Sequence, residues 1–216
     1  MNDAQTALDH LLIGSRTLDQ GIEWLEAKTG VRAAIGGPHP GLGTWNALAS
    51  LGSGQYIEVI APDPSQPGIP TFYVPRLRDL TEPKIVTWAA TAKAAGLAED
   101  FVSLLPPDFA CAPVRPGSRI RPDGTRIAWV LAFPKHRDHG TFGGALPFVI
   151  EWESAEVHPG RTAPAGLILR SMSLAHPNAS ELAVALKTLG IAEPVVHADR
   201  PVIRVEIDGP KGRIVL

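Results

Sequence analysis

Residues 36 to 62 read Gly36-Gly37-Pro38-His39-Pro40-Gly41-Leu42-Gly43-Thr44-Trp45-Asn46-Ala47-Leu48-Ala49-Ser50-Leu51-Gly52-Ser53-Gly54-Gln55-Tyr56-Ile57-Glu58-Val59-Ile60-Ala61-Pro62. Short apolar runs bounded by glycine and proline favour strands over helices. The stretch predicts a Gly/Pro loop, a strand over 44–51, a tight turn at Gly52-Ser53-Gly54 and a strand over 55–61. Glu58 lies in that second strand among Ile57, Val59 and Ile60. A carboxylate placed there is costly unless it is paired, bound to a metal or aimed into a wet cavity.

Upstream, Leu8 to Ile13 is a strand candidate, and Thr17 caps a helix whose Leu18, Ile22 and Leu25 share one face before Thr29-Gly30 ends it. Val31 to Ile35 reads as another strand, so residues 7–62 are ordered β-α-β-β-β. Near the C-terminus the order returns. Leu167 to Ala175 is a strand, Leu182, Leu186 and Leu189 mark a helix closed by Gly190, and strands follow at 194–197, 201–207 and 212–216. Between them, Lys84 to Ala90, an alanine-rich helix through Ala94-Ala95, a strand near Val114, Arg126 to Phe133 and Leu146 to Glu153 suggest a third, degraded copy. The expected fold is α+β: repeated βαβββ modules over residues 1–64, 65–160 and 161–216, with curved mixed sheets enclosing a cleft. Tyr56-Ile57-Glu58-Val59-Ile60 parallels Phe148-Val149-Ile150-Glu151-Trp152, which makes Glu151 a second buried carboxylate candidate.

Of the 216 residues, 44% are hydrophobic and 19% charged, and the net charge is −2, so no basic stripe invites nucleic acid. The single cysteine, Cys111, excludes an intrachain disulfide and reads as an inert core thiol. The start Met1-Asn2-Asp3-Ala4-Gln5 lacks the basic and apolar regions of an export signal, and no run approaches the ~18 apolar residues of a membrane span. The expectation is a cytoplasmic protein that binds neither membrane nor nucleic acid. Twenty-one glycines and 21 prolines point to many short elements.

Leu8-Asp9-His10, the Gly-Leu-Gly-Thr-x-Asn loop at 41–46, Tyr56-Ile57-Glu58 with Ala61-Pro62-Asp63-Pro64, Arg121-Pro122-Asp123-Gly124 and Leu146 to Trp152 resemble the glyoxalase-like branch of the vicinal oxygen chelate superfamily. The resemblance implies βαβββ modules paired around a cleft and a divalent metal held by a first-strand histidine and last-strand glutamates. It places those ligands on His10, Glu58 and Glu151, with His39 able to complete the set. Neutral imidazole with carboxylates suits Zn, Fe, Mn, Co or Ni. Thr87 and Trp88 stand where a second first-strand ligand would be expected.

The function implied is a metal-dependent enzyme of the glyoxalase or dioxygenase type acting on a small oxygenated molecule, with Glu58 and Glu151 catalytic and the metal a Lewis acid. The alternative is a metal-free protein of the same fold that binds or sequesters a small molecule. His39, Trp45, Asn46 and Trp88 are the candidate ligand contacts. The bland readings are a surface histidine for His39, core packing for the tryptophans and a backbone-bonded histidine for His10. Lys135-His136-Arg137-Asp138-His139 reads as a solvated loop, and His158 and His176, each followed by proline, as turn residues. Two acids sharing one point would repel, and one would then carry a raised pKa. Three modules do not pair off within one chain, so a sheet extension or a homodimer is expected.

Overall fold

The computed structural model describes residues 6–69, 77–92, 98, 114–134 and 141–216. The alanine-rich segment at 94–95, Cys111, His136 and His139 lie outside these residues.

The first block runs β1 (Thr6–Gly14), α1 (Leu18–Thr29), β2 (Ala34–His39), β3 (Thr44–Gly52) and β4 (Gln55–Pro62). Thr17 caps α1 by accepting from the backbone N–H of Gln20, and Gly30 ends it in the left-handed region at φ 83°. Leu18, Ile22 and Leu25 of α1 are buried in a cluster with Leu11, Ile57 and Val59, each such side chain stabilising the fold by roughly 1.5–3 kcal/mol. β4 is buried along nearly its whole length because it is covered on both faces, which is why its sequence does not alternate.

β1 and β4 pair in parallel, with α1, β2 and β3 forming the crossover. The middle block repeats this with β5 (Lys84–Ala92), β6 (Arg115–Ile120), β7 (Arg126–Ala132) and β8 (Phe148–Trp152), where β5 and β8 are again parallel. β1 and β5 pair antiparallel and fuse the halves into one eight-stranded sheet, ordered β2-β3-β4-β1-β5-β8-β7-β6. The sheet curls until its edge strands approach, and Arg119 of β6 donates to the carbonyl of Gly36 in β2.

Two expectations are corrected. β2 begins at Ala34 rather than Val31, because Thr29 Oγ1 accepts from the Val31 N–H and holds the chain in a connector. It then continues through Gly36-Gly37-Pro38-His39, which the sequence assigns to a loop. A bulge between Ile35 and Gly37 and the strand's place at the sheet edge make Pro38 tolerable.

The C-terminal block has the expected element order, β9 (Ile168–His176), α3 (Ala179–Thr188), β10 (Val195–His197), β11 (Val202–Gly209) and β12 (Gly212–Val215), the short helix α2 (Pro159–Thr162) preceding it. Its strand order is β10-β9-β11-β12, so the first strand is central instead of pairing with the last. It is a βαβ unit followed by a hairpin. It forms a sheet of its own and does not extend the first one. It rests on the α1 side, where the Lys211 N–H donates to the carbonyl of Thr29. Among the described residues no helix is long and apolar enough to cross a membrane.

Candidate functional site

Side chains alternate along a strand, so one register decides which residues enter the concave side of the curled sheet. On β4 these are Tyr56, Glu58 and Ile60, and on β1 they are His10 and Leu12, paired with Tyr56 and Glu58. β3 adds Asn46, opposite Ile60, and the end of β2 adds His39, opposite Thr44. From the other half come Phe148, Ile150 and Trp152 of β8 and Trp129 and Leu131 of β7.

His10 Nε2 lies 3.1 Å from Glu58 Oε2, with both side chains buried. The other carboxylate oxygen of Glu58 accepts from Asn46 Nδ2 at 2.8 Å. The same amide nitrogen is 3.1 Å from His39 Nε2, so that nitrogen is the acceptor and His39 Nδ1–H donates to Thr44 Oγ1 at 2.9 Å. Behind His10, its Nδ1 meets Asp9 Oδ1 at 2.7 Å. Adjacent strand residues normally face opposite ways. A bulge in the β1–β5 pairing between Leu8 and His10 lets Asp9 and His10 meet. The second oxygen of Asp9 accepts from Trp152 Nε1 and His158 Nε2, each at 3.1 Å. Tyr56 stacks on the His10 ring with centroids 4.4 Å apart.

The electrostatics follow from this wiring. Burial disfavours charge on His10, but its hydrogen bonds to Asp9 and Glu58 outweigh it and raise the imidazole to about 9. Burial alone would raise Glu58; the His10 hydrogen bond and charge instead lower it to about 2. Asp9 also falls to about 2, against its own desolvation, through His10 and His158. Burial lowers His39 to about 4, with the charges of Arg119 and His10 adding to it and that of Glu58 opposing it without offsetting it. At neutral pH the cluster is one imidazolium between two carboxylates, with a neutral His39 beside it.

Next to the His10–Glu58 pair is a chamber of about 30 Å³, enough for a water or a small polar head. It adjoins a cavity of about 300 Å³ walled by Trp129, Leu131, Phe133, Leu42 and Pro116, His39 bordering both. Trp129 packs so closely on Gly117 that a Cβ there would come within 2.5 Å of its indole nitrogen.

A glyoxalase-like domain model matches residues 8–190 of the chain. The chain belongs to the glyoxalase-like domain family. Among solved structures, a hypothetical protein from Staphylococcus aureus matches with a TM-score of 0.65 and 14% identity over 97% of this chain and 84% of that one. Methylmalonyl-CoA epimerase from Mycobacterium tuberculosis matches over 67% of this chain and 86% of that one, with 24% identity and a TM-score of 0.39. A comparison with curated proteins gives no match. The family and the α+β fold expected from the sequence are both borne out.

Within this glyoxalase-like fold, the cleft brings together His10, Glu58, His39 and Asn46 of the predicted residues, and not the other three. Glu151 pairs with Val130 on the convex face, away from Glu58. The strand that aligns Tyr56 with Phe148 aligns Glu58 with Ile150, and a slip of one residue changes the face. No carboxylate pair forms, and Glu58 is lowered where mutual repulsion would have raised it. Trp88 is on the convex side too, fully buried and donating to the carbonyl of Ala145 at 2.9 Å. Trp45 packs against the α1-side core, and its indole N–H has no partner among the described residues. Asp9, Trp152 and His158 belong to the site although the sequence does not mark them as site residues. The only available signal is an acid next to His10.

The metal that the family resemblance implies needs a donor set, and the residues present do not fit one. In register, Ala89, rather than Thr87 or Trp88, answers to His10, and Ile150 rather than Glu151 answers to Glu58, so the second half offers no donor at the matching places. His39 Nε2 is turned to the Asn46 amide and stands 3.6 Å from Glu58 Oε1. Among the described residues no three His, Cys, Asp or Glu side chains come together as a metal site.

Proposed function

We propose that the cleft binds a small organic molecule without a resident metal, its apolar body against Trp129, Leu131 and Phe133 and its polar head in the chamber beside His10 and Glu58. One observation carries this reading: the His10–Glu58 pair is already wired inside the protein. Both ring nitrogens of His10 and both oxygens of Glu58 have partners in Asp9, Glu58, His10 and Asn46. A general acid or base works best with a pKa near the ambient pH. Values of about 9 for His10 and about 2 for Glu58 are far from it, and they suit a fixed polar wall better than a proton shuttle. The apolar cavity with few oriented polar groups is the usual make-up of a small-molecule pocket.

The test is thermal melting of chelator-treated protein with 2-naphthol and with cyclohexanone, each in the presence and absence of Zn, Mn, Fe, Co or Ni. A ligand that binds only the folded state raises the melting temperature as its concentration rises. The expected result is a rise with an organic ligand that is the same with and without metal. A rise that requires the metal would overturn this reading in favour of a metal-dependent enzyme.

A further inference from the structure

Three donors from two distant parts of the chain end on the one buried carboxylate of Asp9. His10 Nδ1 takes Oδ1 at 2.7 Å, and Trp152 Nε1 and His158 Nε2 share Oδ2 at 3.1 Å each. The tautomer of His158 is set from outside, because the Gly160 N–H donates to its Nδ1 at 3.1 Å and leaves the proton on Nε2. The segment carrying His158 is itself fastened to the β3–β4 hairpin: Ser50 Oγ donates to the Gly160 carbonyl at 2.7 Å and the Ser50 N–H to the Pro164 carbonyl at 2.8 Å. Asp9 is therefore approached from fixed supports.

We infer that Asp9, held by Trp152 and His158, is a positioning residue that keeps a proton on His10 Nδ1 and turns His10 Nε2 towards Glu58 and the cleft. Its relevance to binding rests on the cleft being the ligand site, but the position of the proton does not. An apolar joint of the same volume would tie the two halves together at least as well, since burying a carboxylate costs desolvation. What the carboxylate adds is direction. It accepts only, so any ring nitrogen facing it has to be a donor.

Asp9→Asn tests this with side-chain 15N NMR of histidine. Two N–H groups converge where Oδ2 stands, so the asparagine oxygen is held there and its amide nitrogen faces His10 Nδ1. The ring nitrogen is then forced to accept, so His10 gives up its Nδ1 proton and keeps the one on Nε2 that faces Glu58. The expected signature is loss of the Nδ1 proton of His10, an unchanged Trp152 indole N–H resonance, and roughly tenfold weaker binding of 2-naphthol. His158→Gln, which can still donate to Asp9, is expected to keep the wild-type His10 pattern. Retention of the Nδ1 proton in Asp9→Asn would overturn the assignment, as would a wild-type protein whose His10 Nδ1 is unprotonated at pH 7, a measurement that needs no variant. A lost Nδ1 proton with unchanged 2-naphthol affinity would support the positioning role and overturn the cleft as the ligand site.

Discussion

His10 and Glu58 meet at 3.1 Å across neighbouring strands of the curled sheet, and both side chains are almost wholly removed from solvent. An ion pair in that setting holds only because the remaining polar atoms are satisfied, by Asp9 on one side and Asn46 on the other. The pair is therefore one member of a circuit that runs from His158 to Thr44 and crosses both halves of the fold.

The circuit sets the pH dependence of stability. His10 is raised from 6.5 to about 9, so its contribution is complete below pH 6.5 and lost as pH rises through 9. The difference is on the order of 3 kcal/mol. His39 is lowered to about 4, so the unfolded chain binds the extra proton between pH 6.5 and 4 and stability falls as the pH drops across that window. Glu58 and Asp9, both lowered to about 2, add to the loss further down, between about pH 4.5 and 2. Melting temperature against pH is expected to peak near 6.5 and decline on both sides. A flat profile from 6.5 to 9 would contradict the charged state of His10.

Replacing Glu58 with Gln separates the two carboxylates that the sequence groups together. In Glu58→Gln the amide oxygen of the new side chain is retained by the Asn46 amide, its nitrogen faces His10 Nε2, and His10 has to shed its charge. Because the ring can do so, the loss stays at about 2 kcal/mol and below the usual cost of orphaning a buried charge. The decline in melting temperature between pH 6.5 and 9 is expected to flatten. Glu151→Gln, on the convex face, is expected to leave the profile and the binding of small molecules unchanged. Chemical denaturation of both variants at pH 6.5 and 9 makes the comparison.

Apart from the bounds of β2, residues 7–62 are legible because their apolar runs are continuous and their turns are marked by glycine. Glu58 is legible because a charge among Ile57, Val59 and Ile60 needs a reason. Glu151 misleads because burial among apolar neighbours says nothing about which face a strand residue takes, and that depends on a register no composition encodes. Asp9 escapes because a bulge, invisible in the sequence, cancels the alternation that would have turned it away from His10. Element order also fails to give pairing order in the C-terminal block. There the three-residue β10 docks directly beside β9.

Trp88 and Trp45, both outside the cleft, are expected to respond differently to the loss of an indole nitrogen. Trp88→Phe leaves the Ala145 carbonyl without its donor and is expected to cost about 2 kcal/mol. Trp45→Phe removes an N–H that has no partner among the described residues, which offsets the lost volume, so the change is expected within about 1 kcal/mol of zero. Urea denaturation ranks them, and equal destabilisation would mean that the Trp45 nitrogen is bonded.

Gly117→Ala probes the cavity wall without touching a polar group of the circuit. Gly117 lies opposite Trp129 on the neighbouring strand, and an added Cβ would stand 2.5 Å from the indole nitrogen and 2.7 Å from its neighbouring ring carbon. The indole has to tilt, and the space it can enter is the cavity of about 300 Å³ that it walls. Overpacking of this kind typically costs about 1–3 kcal/mol. The tilted ring is also expected to weaken the binding of 2-naphthol by about tenfold, since roughly every 1.4 kcal/mol of lost contact is one decade of affinity. The peak near pH 6.5 is expected to stay in place, because neither His10 nor Glu58 moves. Tryptophan fluorescence titration gives the affinity and melting curves give the stability. Binding as tight as wild type in a measurably destabilised Gly117→Ala protein would remove Trp129 from the ligand wall.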